Sequence, residues 1–249
     1  MKTEQILQLP SMPLQSPSFP RGPYRFTNRE YLVVQYRSDP AAIRQALPEP
    51  LEPDGDVVAV QWLDLPDGTG LGGYSAAAQV IPCRYKGEAC NFISQMYLDN
   101  TSPLQAGREI WGYPMKYGDA DLHVDGDTLT GTLVYAGQRV ATGTMTFKHD
   151  TVKIDPREQG EHIGRTQITL KLIPDVDGKP AVAQLVAINF TNVTVHGAWA
   201  GKAALELIPH VNAPLADVPV RQVVGGLHLK TDMTLPYGRV LHDYLGPGR

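Results

Sequence analysis

Cysteine is almost missing from this chain: its 249 residues hold two, Cys83 and Cys90. Two thiols without a paired set of histidines are too few soft donors for a zinc site, so neither a metal nor a cofactor is expected. Charge is scarce too. Charged residues make up 19% of the chain, with a net charge of -4. The basic residues stand singly, with no run able to release counterions from a phosphate backbone, and no nucleic-acid partner is expected. Long apolar runs are absent as well. No stretch approaches the roughly 18 residues that span a bilayer, so no membrane partner is expected. Met1-Lys2-Thr3-Glu4-Gln5 begins nothing like a secretory h-region. A cytoplasmic location follows as an expectation. There the two cysteines read as free buried thiols facing each other across a hairpin turned at Tyr85-Lys86-Gly87-Glu88.

Glycine (24) and proline (21) are abundant, by contrast, and punctuate many short apolar stretches, the pattern of a β-rich fold. Residues 10–23 carry five prolines. Fixed φ angles and missing N–H groups make this segment an extended arm after a short helical stretch at Glu4–Leu9. Strands are predicted at Tyr31–Tyr36, Val57–Trp62, Ala76–Pro82, Phe92–Leu98, Thr128–Tyr135, Gln138–Lys148, Ile168–Ile173, Val182–Val195 and Val218–Leu235. Asp39-Pro40 opens a short helix ending at Leu47, and residues 199–216 read as a helical or irregular excursion. The expected architecture is one domain spanning 1–249, mainly β with a few short helices, with residues 1–23 as its N-terminal helix and arm.

Several motifs reduce to ordinary structure. Gly70-Leu71-Gly72-Gly73 opens no helix and lacks Lys-Ser/Thr, so it is a bend and not a phosphate loop. Asp175-Val176-Asp177-Gly178 lacks the distal glutamate of a calcium loop and reads as a hairpin turn. No Gly-x-Ser-x-Gly elbow is present. Arg29 is either a solvated charge or the anion clamp of a pocket.

Larger blocks carry a more specific signal. Ser16-Pro-Ser-Phe-Pro-Arg-Gly-Pro-Tyr24, Asn28-Arg-Glu-Tyr31, Met96-Tyr-Leu-Asp-Asn100, Gly107-Arg-Glu109 with Tyr113-Pro114, Thr191-Asn-Val-Thr-Val-His196 and Asp243-Tyr-Leu245 occur in one order over nearly the whole chain. Together they resemble the acetoacetate decarboxylase family. The resemblance implies a curled antiparallel sheet, closed as a cone-like barrel around a pocket, and a homo-oligomer. It implies a lyase acting on a small β-keto or 2-oxo carboxylic acid. In that chemistry a lysine amine condenses with the ketone, and the iminium accepts the electrons released as CO₂ departs. At a reference pKa of about 10.4, only about one lysine in 2,500 is neutral at pH 7. The amine must therefore be desolvated or set beside another cation, and acetoacetate decarboxylase is itself the standard example of that activation.

The same resemblance marks departures. The family's reactive residue is the first lysine of a pair after Tyr-Pro, and here that position is Met115, followed by Lys116. Two family glutamates fall at Gln61 and Ala76, while Arg29 is kept for the substrate carboxylate. Lys116 is the remaining candidate nucleophile. In extended backbone, however, successive side chains take opposite faces, and a one-residue offset directs its amine away from Met115. The expected site is an apolar pocket anchored by Arg29 and lined by Gln61, Ala76, Met96, Tyr113 and Met115. It is expected to accept a small carboxylate or keto acid. Alternatives are a diverged enzyme using no imine and an inactive carboxylate-binding relative.

Overall fold

The computed structural model describes residues 1–153 and 165–246. Its main feature is a 13-stranded sheet. Along the hydrogen-bonded path the order is Asp150–Thr151, Thr191–Gly201, Gln222–Leu235, Tyr24–Arg37, Val57–Leu65, Tyr74–Tyr85, Glu88–Leu98, Thr166–Pro174, Pro180–Ile188 and Arg239–Asp243. Glu52–Pro53, Asp67–Gly68 and Met115–Tyr117 pair alongside this path. Most pairings are antiparallel. Glu88–Leu98, however, runs parallel to both Thr166–Pro174 and Met115–Tyr117.

One connection gives the sheet its shape. Pro180–Ile188 and Thr191–Gly201 lie near opposite ends of the strand order, yet only Asn189 and Phe190 separate them in sequence. Two linking residues span on the order of 10 Å at most, so the ends of the strip must come close together. The sheet therefore curls. Among the described residues it does not close, because the edge strands Asp150–Thr151 and Arg239–Asp243 make no pairing with each other. The expected barrel closure is thus not confirmed, and the described strands form a curled, open sheet. The expected continuous strand Val182–Val195 is corrected to two strands for the same reason: Asn189–Phe190 carries the chain across the seam.

Alternation along the strands sorts side chains into two cores. Tyr31, Val33, Ala59, Leu63, Tyr74, Ala78, Val80, Ile93, Val186, Ile188 and Leu229 pack inside the roll. Leu32, Val34, Val60, Trp62, Ala77 and Ile81 point outward. A 4-stranded sheet, ordered Ala203–Leu207, Gln138–Thr146, Thr128–Tyr135 and Asp119–Asp125, covers that outer face with Leu129, Leu133, Val140 and Met145. The expectation of an irregular 199–216 thus gives way to a strand to Gly201 and the Ala203–Leu207 edge strand. A short 3₁₀ turn at Leu215–Asp217 completes the region.

The helices are brief. Pro40–Ala46 follows Asp39, whose carboxylate bonds Arg221 and caps no helix N–H. Phe19 is buried, pinning the proline arm to the roll, and Ser18 O accepts from Ser102 Oγ at 2.7 Å. Cys83 and Cys90 are free, buried and directly opposite each other, with sulfurs 3.3 Å apart. Their hairpin turns at Lys86 and Gly87, both with positive φ (52° and 86°), as a two-residue primed turn requires. Among the described residues no helix is long and apolar enough to cross a membrane.

The two sheets approach each other over Trp62. A Cβ built on Gly131 or Gly143 would lie 2.4 Å from its indole atoms, so only glycine fits at either position. Gly143→Val should lower unfolding free energy by about 3 kcal/mol through overpacking. Chemical denaturation should show a lower midpoint with an unchanged slope.

Candidate active site

Arg29 enters the interior through a fault in the strand that carries it. Opposite Gln222–Leu235, the register slips between Phe26 and Arg29, and Asn28 takes a positive φ of 54°. Such a bulge re-aims the following side chain. Asp232 fixes it: its Oδ1 accepts from the Asn28 N–H at 2.8 Å. That bond, opposed by modest desolvation and aided by His196 and Arg25, holds the Asp232 carboxyl below its ordinary range.

The guanidinium then sits among aromatic faces. Its Cζ lies 5.1 Å from the Phe26 ring centroid, 4.9 Å from Tyr31 and 5.2 Å from Phe190. Each such contact contributes about 0.5–2 kcal/mol. None supplies a hydrogen-bond acceptor, and Nε and Nη1 are buried without partners. Leaving buried donors unpaired costs about 1–3 kcal/mol each. The cage holds the cation but leaves its directional bonding unmet, which is the condition that favours a bidentate carboxylate.

Arg29 faces a small inner cavity of about 50 Å³, shared with Gln61, Tyr74, Met96, Tyr113, Met115 and Gln167 among others. Arg29 is the one ionised side chain lining it among the described residues. Burial pushes the hydroxyls of Tyr31, Tyr74 and Tyr113 well above the ordinary phenol range, against the pull of Arg29. They are neutral at physiological pH. The cavity therefore carries one net positive charge and no carboxylate.

Met115 and Lys116 diverge as strand alternation requires. Met115 pairs with Met96 across the parallel ladder, is buried, and lines the cavity. Its thioether packs over Gly107, where a Cβ would be 2.3 Å from the sulfur. The Lys116 amine is on the other side of the sheet. It donates to the Asn212 carbonyl at 2.7 Å and lies 5.6 Å from the Tyr135 ring centroid, in a separate outer depression with Gln95, Tyr97 and Asp217. As a catalytic candidate Lys116 is thus displaced from the cavity by the pleat itself. Ala76 also needs correction. It is fully buried in the same inward row as Tyr74 and Ala78, but its methyl stops short in the core and does not line the cavity.

Two residues escaped the sequence reading. Gln167 accepts the Tyr113 hydroxyl at 2.8 Å. Its row, with Thr169, is polar on a strand otherwise apolar at Ile168 and Leu170, and that alternation was the available signal. Phe190, hidden within an apparently continuous strand, had none. Gln61, Gln167 and Phe190 line both the inner cavity and an outer chamber of about 310 Å³. Gln35, Asp54, Asn91 and Arg165 supply the outer chamber's polar groups.

Two outcomes follow. Arg29→Met should leave the ligand-free protein as stable or slightly more stable, since an under-paired buried charge is removed. It should also abolish the rise in melting temperature that added carboxylate gives the unaltered protein; thermal shift measures both. Asp232→Ala should loosen the bulge and weaken carboxylate binding several-fold near neutral pH. Because the folded-state pKa of Asp232 is depressed, its stabilising contribution exists above the unfolded value of about 3.9 and is lost as pH falls through the folded value. The variant and the unaltered protein should therefore converge in melting temperature in acid.

Comparison with known proteins agrees with the geometry of the fold. The acetoacetate decarboxylase (ADC) family model matches residues 11–245. The acetoacetate decarboxylase of Acidiphilium cryptum (strain JF-5) is 49% identical over 235 residues, covering 94% of this chain and 95% of that protein. A solved acetoacetate decarboxylase structure superposes with a TM-score of 0.94 at 43% identity, covering 99% of this chain and 100% of the other. The enduracididine biosynthesis enzyme MppR, in complex with pyruvate, shares the fold at a TM-score of 0.81 and 21% identity, over 94% of this chain and 98% of its own. The chain belongs to the acetoacetate decarboxylase family.

Proposed function

We propose that this protein binds a small β-keto or 2-oxo carboxylic acid by pairing its carboxylate with Arg29, and that it does not decarboxylate that acid through an imine. One observation carries the reading: among the described residues the inner cavity surrounds one cation, Arg29, with apolar and neutral groups, and none of them contributes an amine. A Schiff base needs an unprotonated nitrogen within bonding reach of the ketone, and the Met115 thioether supplies none. Pairing the carboxylate with a buried guanidinium favours the bound acid over departing CO₂, so the ion pair alone supplies no catalysis of C–C cleavage. The neutral Tyr113, Gln61 and Gln167 suit carbonyl polarisation, which leaves a non-imine reaction or simple ligand binding as the working roles. A protein of the same fold, MppR, is complexed with pyruvate, a 2-oxo acid. A cytoplasmic homo-oligomer without metal or cofactor remains part of this proposal.

A second reading, ordinary acetoacetate decarboxylation, draws on the names of relatives at 45–49% identity. Borohydride reduction in the presence of acetoacetate separates the two. The expected result is intact mass without an adduct, and no CO₂ release above the uncatalysed rate. The triple variant Met115→Lys, Gln61→Glu, Ala76→Glu serves as the gain-of-function control. An adduct on Lys116 of the unaltered protein would overturn the proposal.

A further inference from the structure

Gln61, Gln167 and Phe190 line both chambers and mark where the two adjoin. The chemistry of that boundary is polar, whereas most other side chains lining the inner cavity are apolar. Two carboxamides stand there, and one of them is held in a fixed sense. The Tyr113 hydroxyl donates to Gln167 Oε1 at 2.8 Å, and a phenol kept neutral by burial keeps that proton. The Gln167 oxygen is thereby occupied. Its NH₂ group donates to no protein acceptor among the described residues, and the Gln61 amide likewise makes no side-chain hydrogen bond with them. An amide whose acceptor is satisfied and whose donor is not is set to bind an oxygen.

Volume places that oxygen. The inner cavity of about 50 Å³ has room for roughly a carboxylate and its first carbons. The outer chamber, about 310 Å³, is of the size that holds a longer chain. A ligand anchored on Arg29 therefore reaches the boundary a carbon or two beyond its carboxylate.

We infer that Gln167 is the specificity-determining residue of this site. Its amide N–H donates to a ketone oxygen of a keto acid whose carboxylate rests on Arg29 and whose remaining chain extends past Gln61 and Phe190 into the outer chamber. Tyr113 is a positioning residue in this scheme, because it orients the amide. The inference rests on the proposed carboxylate site and adds the part of the ligand that site recognises. Simple alkanoates meet Arg29 but leave the Gln167 donor unpaired. Discrimination of this kind arises because a polar group built to be satisfied is stranded by the wrong ligand.

Calorimetry with matched pairs tests it: acetoacetate against butyrate, and 2-oxovalerate against valerate. At least one keto acid should bind the unaltered protein about five-fold more tightly than its alkanoate, the range expected of one hydrogen bond. Gln167→Leu should bring that ratio close to one while changing alkanoate affinity less than two-fold. Tyr113→Phe, which keeps the ring and frees the amide, should lower the ratio partway and guards against a Gln167 variant that fails to fold. Equal binding of ketone and alkanoate by the unaltered protein, or a ratio that survives Gln167→Leu, would overturn the inference. If no acid of either kind binds the unaltered protein, the carboxylate site itself has failed and the inference falls with it. Alkanoate binding that is lost in Arg29→Met isolates the anchor from the boundary.

Discussion

Two residues, Asn189 and Phe190, join strands that stand near opposite ends of the large sheet, and the interior depends on that short tie. Without it, the strip would have no reason to bring Val186 and Ile188 into the same core as Ala198 and Leu229. The link does more than close distance. Phe190 turns its ring onto the Arg29 guanidinium at 5.2 Å and borders both chambers. The residue that curls the sheet thus also helps cage the cation and stands where the two chambers adjoin. Hydrogen bonding need not seal the seam, because the covalent chain and the apolar core already hold it.

Burying Arg29 is unfavourable unless something else in the fold compensates. Removing an ion from water costs several kcal/mol even after relaxation. Three aromatic contacts of about 0.5–2 kcal/mol each offset part of this, and the Asp232-anchored bulge keeps the side chain from escaping. A carboxylate ligand would complete the account by meeting the bare Nε and Nη1. The same reasoning explains why the lining tyrosines stay protonated: desolvation outweighs the attraction of the neighbouring cation. Among the described residues, a cavity lined by one positive charge and neutral donors suits anions and carbonyl oxygens. An iminium formed there would set a second cation beside Arg29 with no carboxylate lining to balance it.

What was legible in the sequence followed from period-two alternation. Rows such as Tyr31–Val33 and Ala59–Gln61–Leu63 alternate against Leu32–Val34 and Val60–Trp62, and both faces were recoverable once extended structure was granted. Closure was not. Val182–Val195 is one unbroken β-favouring run to the eye, and nothing local tells that residues 189–190 cross from one end of a sheet to the other. Gln138–Lys148 misled in another way. Strict alternation puts Val140 on one side with Thr142, Thr144 and Thr146, but a bulge between Arg139 and Ala141 breaks the period, and Val140 is buried with Ala141, Gly143 and Met145 while the threonines keep the other side. The strand Asp119–Asp125 is largely polar and exposed, so its pairing, not its composition, defines it. For the site, Arg29 and Met115 came through the family resemblance, whereas Gln167 needed the knowledge that a polar strand face can look into a cavity.

The pleat separates the neighbouring lysine from the inner cavity. Side-chain direction in a strand reverses with every residue, so proximity in sequence between Met115 and Lys116 is separation in space. Turning the lysine inward would require slipping a strand held by parallel pairing of Met96, Tyr97 and Leu98 with Met115, Lys116 and Tyr117, by the bond from Arg108 Nη1 to the Met115 carbonyl at 3.0 Å, and by the Met115 thioether seated on Gly107. That slip would also send Met115 out into the depression now occupied by an ammonium group. Both side chains would then sit in the wrong solvent: a charge in an apolar chamber beside Arg29, and a thioether facing polar groups. The sheet therefore resists exchanging the two, and a one-residue difference in sequence becomes a difference in which side of the sheet each side chain occupies.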